Sequence, residues 1–130
     1  MSQDFGLRRF AVLHHAGAGG AGGADGADTP HYDFLFDTTD TSSLVTFRLP
    51  DWPLAAGSTH VALKLRDHRR IYLTYEGQIS GDRGHVSRVA EGELRVAQSA
   101  ANWLLSLPDD RPFLIFEPVQ TDEWQVTRSE

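Results

Sequence analysis

Residues 31–37 read HYDFLFD, and this stretch decides the fold. It is short, rich in aromatic residues and alternates with period two, the pattern of a half-buried β-strand. Residues two apart on a strand point to the same side, so the His31 imidazole and the Asp33 carboxylate share a face. Similar segments lie on both sides of it. RRFAVLH (8–14) precedes it. SLVTFRL (43–49) follows, with Val45, Phe47 and Leu49 on one face and Thr46 and Arg48 on the other. HVALKLR (60–66) repeats the pattern with Val61, Leu63 and Leu65, and IYLTYEG (71–77), HVSRV (85–89), FLIFEP (112–117) and EWQVTR (123–128) continue it.

Turn chemistry separates these segments. DTTDTS, PDWPLAAGS, SGDRG and LPDDRP carry the Pro, Gly, Asp and Ser that loops favour. Residues 90–107, AEGELRVAQSAANWLLSL, tolerate either a helix or strands; strands are preferred, with a loop at 97–101. The expected fold is therefore all-β, a compact antiparallel sandwich or barrel in a single domain over 1–130. Residues 16–28 are only Gly, Ala or Asp and hold half of the twelve glycines. That stretch reads as a loop inserted between two strands.

At 130 residues the chain can bury one sizeable core, and 40% hydrophobic residues with seven Phe, three Trp and three Tyr supply it. Its apolar runs fall far short of the roughly 20 residues that span a bilayer, so no membrane partner is expected. The opening MSQDFGLRRF lacks the apolar segment of a secretory signal. Cysteine is absent, which excludes thiolate metal sites and fits a reducing cytoplasm, the expected location. A net charge of −6 argues against loose adhesion to nucleic acid. Yet Lys64, Arg66, Arg69, Arg70, Arg83 and Arg88, six of the twelve basic residues, fall within 25 positions. Such a cluster suits a local phosphate site, or else a solvated face.

Two groups of residues could carry chemistry. His31 and Asp33, with His15 from the end of the preceding strand, would form a two-histidine, one-carboxylate set for Mn²⁺, Fe²⁺ or Zn²⁺. The alternative is a satisfied polar pair at a strand end. The second group is LRDHRRIYLTYEG (65–77). Here His68 is flanked by Arg66, Arg69 and Arg70, with Tyr72 four residues on. Arginine forks hold phosphate oxygens and histidine passes protons near neutral pH, although a charged surface turn has the same composition.

In order, these pieces resemble the 3′-phosphoesterase domain of bacterial DNA ligase D, in its short stand-alone form. The matching elements are the strand FAVLHH ending at His15, the His-Tyr-Asp-Phe of 31–34, and the strand LVTFRLP. They continue with Asp67-His68, Tyr72, the triplet Tyr75-Glu76-Gly77, SGDRGHVSRVAEGEL, and the closing EWQV. The resemblance spans nearly the whole chain. It implies a compact β-barrel that trims DNA 3′ ends, RNA-terminated ones included, by removing a terminal ribonucleoside and then the 3′-phosphate. It also implies a DNA ligase or end-joining partner. By position, His15, His31 and Asp33 would bind a divalent metal, usually Mn²⁺. His68 would contact the scissile phosphate and protonate the leaving oxygen, and Tyr72 would help hold the phosphate.

The chain departs from the family in three places. Leu35 stands where the family commonly has a phosphate-gripping Arg. A missing preorganised donor costs about 10²–10³ in rate by analogy with oxyanion-hole deletions, and Arg66, Arg69 or Arg70 would have to compensate. Arg66 also replaces an acidic residue. About five residues separate the two histidines in the family and fifteen separate them here, a tripling that loop-closure entropy prices at about 1 kcal/mol. The resulting loop brings Asp25 and Asp28 near its exit. The competing expectation is a catalytically degenerate barrel that binds nucleic-acid ends or a repair-protein partner. A metal-dependent barrel enzyme acting on a small molecule is a third.

Overall fold

The computed structural model describes residues 2–16, 30–39, 43–78 and 84–130. The expected Gly/Ala loop, with Asp25 and Asp28, falls almost wholly outside the described residues, as does Arg83. The described residues form ten strands: β1 (Ser2–Ala16), β2 (His31–Phe36), β3 (Ser43–Leu49), β4 (Thr59–Lys64), β5 (His68–Arg69), β6 (Gly77–Gln78), β7 (His85–Ser99), β8 (Asn102–Ser106), β9 (Pro112–Gln120) and β10 (Glu123–Arg128). All of their pairings are antiparallel, as expected from the sequence. No helix among the described residues is long and apolar enough to cross a membrane.

Strand order in the sheet is β1-β2-β3-β4-β10-β9-β8-β7-β6, and β1 also pairs with β7. Residues 10–15 of β1 thus have partners on both edges, 31–36 of β2 on one side and 86–92 of β7 on the other. The β1–β7 ladder breaks register between Val12 and Leu13, where Val89 is the unmatched residue of a bulge.

The main core lies on one side of this sheet. Val45, Phe47 and Leu49 point into it, as their alternation requires, and Phe34 and Phe36 join them from β2. Phe47 stacks on Phe116 at 4.2 Å between ring centroids, and Phe36 meets Trp103 edge-on at 5.2 Å. Aromatic pairs of this kind add about 0.5–1.5 kcal/mol each beyond their area burial. The opposite side of β1–β3 carries a smaller cluster: Ala11, Leu13, Leu35, Leu44, Leu73 and Val86, with Tyr72 and Tyr75 at its margin.

Three local expectations need correction. Residues 71–77 are not a strand: Arg70–Leu73 form a 3₁₀ turn, and only Gly77–Gln78 pair, with β7. Alternation would place Ile71 and Leu73 on one face, but Ile71 is 55% exposed and Leu73 is 3% exposed. Anchoring Leu73 in the small cluster curls the chain, and the Ile71 carbonyl accepts bonds from the amides of Thr74 and Tyr75 at 3.1 and 2.9 Å. On β4 the inward residue is Ala62, whereas Val61 and Leu63 point outward at 57% and 40% exposure. The strands within 90–107 form as expected, but β7 runs on to Ser99 and leaves a connection of two residues before β8. Ala100 adopts φ 53 there, and Ser99 pairs directly with Asn102.

Candidate metal and phosphate site

Register assembles the first group. On β1, Ala11, Leu13 and His15 share the outward face; opposite them on β2 stand Leu35, Asp33 and His31 in the same order. One apolar pair, Ala11 with Leu35, therefore starts a row that passes through Leu13 opposite Asp33 and ends in the two histidines. The histidine nitrogens of His15 and His31 and a carboxylate oxygen of Asp33 lie within 4.8 Å of one another. The two imidazoles meet edge-on, with centroids 4.8 Å apart, and His31 Nε2 is 3.7 Å from Asp33 Oδ1. His14 points to the other side and packs on Tyr32, 5.0 Å between ring centroids.

Both His31 and Asp33 are buried, at 7% and 3% exposure. Asp33 Oδ1 has no hydrogen-bond partner among the described residues. A buried carboxylate oxygen without a partner is costly unless a cation meets it. The donor set suits a divalent metal: His15, His31 and Asp33 would hold it, through neutral imidazoles and a carboxylate.

Residues 65–76 supply the other wall. Thr46 on β3 shares a face with Leu44, and its Oγ1 accepts the His68 amide at 3.3 Å while donating to the Leu44 carbonyl at 3.1 Å. β5 pairs with β3 at Leu44 and His68, which fixes the height of the imidazole. His68 Nδ1 lies 3.0 Å from the Arg66 carbonyl. A carbonyl only accepts, so Nδ1 carries a proton and Nε2 is left to the site. Nε2 is 3.7 Å from Asp33 Oδ2. Burial disfavours the charged imidazolium, but the Asp33 carboxylate and the Arg66 carbonyl outweigh burial and the nearby Lys64, so the His68 pKa is raised.

A cleft of ≈ 420 Å³ opens between these walls, lined by His15, Asp33, Arg66, Asp67, His68, Arg69 and Tyr72 over the apolar Leu13 and Val86. Tyr72 meets His68 edge-on at 5.8 Å, and the Arg69 guanidinium lies 6.0 Å from the Tyr72 ring. Seven of the eight residues expected from the sequence are thus brought together, with His31 forming the back of the metal group. Arg70 turns elsewhere: its guanidinium pairs with Asp37, at 2.8 and 3.1 Å. Leu35 is fully buried beneath Asp33 in the small cluster. Glu76, from the Tyr-Glu-Gly triplet, accepts the Arg88 amide at 3.0 Å and so ties this wall to β7.

Sequence reasoning missed Asp37, Thr46 and Arg48 as parts of this region. Asp37 is 2% exposed and lies between Arg70 and Arg8. Burial opposes its charge, but Arg70, Arg8 and the Thr38 amide together lower its pKa. The only sequence trace of Thr46 is a polar residue alternating with apolar ones. Arg48 stands directly across from Asp33 in the β2–β3 ladder.

Fold and site together define an all-β, antiparallel protein with a His-His-Asp group, two of its three members buried, beside an arginine-lined cleft. Compared with protein-family models and with curated proteins, the chain matches none.

Proposed function

We propose that the protein is a metal-dependent 3′-phosphoesterase-like hydrolase that processes DNA 3′ ends, RNA-terminated ones included, in end repair. The observation that carries this reading is the convergence of His15, His31 and Asp33 within 4.8 Å beside a cleft that also holds His68, Arg66 and Arg69. A bound divalent ion, Mn²⁺ in this reading, would polarise a phosphoryl oxygen and activate water. Arg66 and Arg69 would neutralise the charge that builds on the phosphoryl oxygens. His68, with Nδ1 committed to the Arg66 carbonyl, would pass a proton to the leaving oxygen from Nε2. Tyr72 would hold a phosphate oxygen through its hydroxyl. The pairing of β1 with both β2 and β7 supports a closed barrel as the finer description of the fold. A cytoplasmic location and a ligase or end-joining partner belong to the same proposal.

The test is release of a terminal ribonucleoside or phosphate from a primer–template 3′ end with Mn²⁺ supplied. Turnover should vanish in His31→Ala, and equal release by wild type and this variant across several divalent metals would sink the proposal. One observation favours a second reading, a catalytically degenerate barrel that binds nucleic-acid ends or a repair protein. Leu35 is sealed in the small cluster, so position 35 supplies no cation to the cleft. That reading predicts end binding that is indifferent to His15→Ala and Asp33→Ala.

A further inference from the structure

Arg48 is a cation beside the site that the proposed chemistry leaves unused. It projects from β3 on the same face as Asp33, its direct partner across the β2–β3 ladder. Its Nε is buried and has no hydrogen-bond partner among the described residues. Guanidinium groups in such surroundings normally meet a carboxylate or a phosphate, so an unmet donor marks a place for an anion.

A second hollow of ≈ 350 Å³ opens beside this side chain. Pro30, Leu49, Pro50, Val61 and Leu63 make its apolar walls, and Arg48 and His31 are its polar members. This explains the reversed face of β4: Val61 and Leu63 are exposed because they line the hollow, and Leu63 stands opposite Arg48 in register. His31 also belongs to the metal group, so the polar end of the hollow abuts that group. A matching occupant has an anionic group at one end and an apolar ring at the other. Hollows of this size, mostly apolar with a few convergent polar groups, hold small organic molecules.

We infer that Arg48 and this hollow form a subsite for the nucleoside that carries the phosphate, with Arg48 gripping a phosphate oxygen. The choice of a phosphate ester rests on the proposed function; the hollow and the unpartnered Arg48 Nε do not. Arg48 presents a planar fork that a lysine cannot reproduce.

Calorimetric titration with thymidine 3′-monophosphate, thymidine and inorganic phosphate tests this, with and without Mn²⁺. Wild type should bind the nucleotide at least about tenfold more tightly than either fragment, since both ends then contribute. Arg48→Ala should weaken the nucleotide at least about tenfold, with Arg48→Lys recovering part of the loss. Val61→Asp alters an exposed position and should bring the nucleotide-to-phosphate ratio towards one. Urea midpoints confirm that each variant folds. The subsite is overturned if wild type shows no preference for the nucleotide, or if folded Arg48→Ala and Val61→Asp keep it. Arg48-dependent nucleotide binding without turnover would sink the hydrolase reading and support the subsite. Turnover with a KM indifferent to both variants would do the reverse.

Discussion

Placing a cation at position 35 by Leu35→Arg should destabilise the protein rather than improve it. Leu35 is 0% exposed and packed among Ala11, Leu13, Leu44, Leu73 and Val86. Full burial of a leucine side chain contributes about 1.5–3 kcal/mol. A guanidinium in its place adds several kcal/mol of desolvation, part of which a long side chain recovers by reaching towards water. The sum is about 4–6 kcal/mol, against a total stability of roughly 5–15 kcal/mol for a domain. Leu35→Ala, which makes only a cavity, should lose about 2–5 kcal/mol and serves as the reference. Urea unfolding followed by tryptophan fluorescence and far-UV circular dichroism gives both numbers. If Leu35→Arg unfolds within about 1 kcal/mol of wild type and binds phosphate more tightly, its guanidinium reaches the cleft and the reasoning fails.

Three further outcomes are expected. Mn²⁺ at a hundred times its Kd should stabilise the fold by about 2.7 kcal/mol, read as a rise in Tm; His15→Ala and Asp33→Asn should abolish the rise, and an equal rise in both variants would exclude the three-residue site. Because the Asp37 pKa is lowered in the folded protein, its contribution is present above the ordinary carboxylate pKa and is lost as pH falls through the lower folded value. Asp37→Asn should therefore lose about 2 kcal/mol at pH 7, a buried-pair value discounted because Arg8 and Arg70 reach solvent, with the gap closing in acid; a pH-independent gap counts against the ion pairs. Thr46→Val keeps the side-chain shape but removes the acceptor for the His68 amide. It should lower stability by about 1 kcal/mol and kcat/KM roughly tenfold, and unaltered kinetics would show that Thr46 does not position His68.

Much of the site was legible because period two is a statement about faces. Parity puts His31 and Asp33 together; the choice of His15 over His14 comes from the resemblance, and the register that pairs His15 with His31 agrees with it. Val45, Phe47 and Leu49 went where alternation sent them. Where alternation misled, the segment was short or its larger residues faced outward. Over 71–75 the run Ile-Tyr-Leu-Thr-Tyr is too short and too apolar to separate the period two of a strand from the period three of a 3₁₀ turn, and the burial of Leu73 without Ile71 tells them apart. On β4 the inward residue is Ala62, too small to dominate a hydropathy pattern, while Val61 and Leu63 line a surface hollow. Asp37 and Arg48 gain their meaning from groups on other elements. Asp37 meets Arg70 across 33 positions, which no local window contains.

The double pairing of β1 also divides the site by how readily each half can open. Residues 10–15 are hydrogen-bonded along both edges and cannot detach without parting two ladders at once. Their amides should exchange with solvent only through global unfolding. The wall bearing His68 and Tyr72 has fewer ladder bonds, two positions on β3, and is otherwise tied by the Thr46 hydroxyl, the Arg70–Asp37 ion pair, the buried Leu73 and the contacts of Arg88 with Glu76 and the Leu73 carbonyl. Hydrogen exchange should therefore run fast over residues 65–76 and slow over 10–15. A molecule as bulky as the proposed substrate would then enter by displacing the wall with fewer ladder bonds, while His15, His31 and Asp33 kept their spacing.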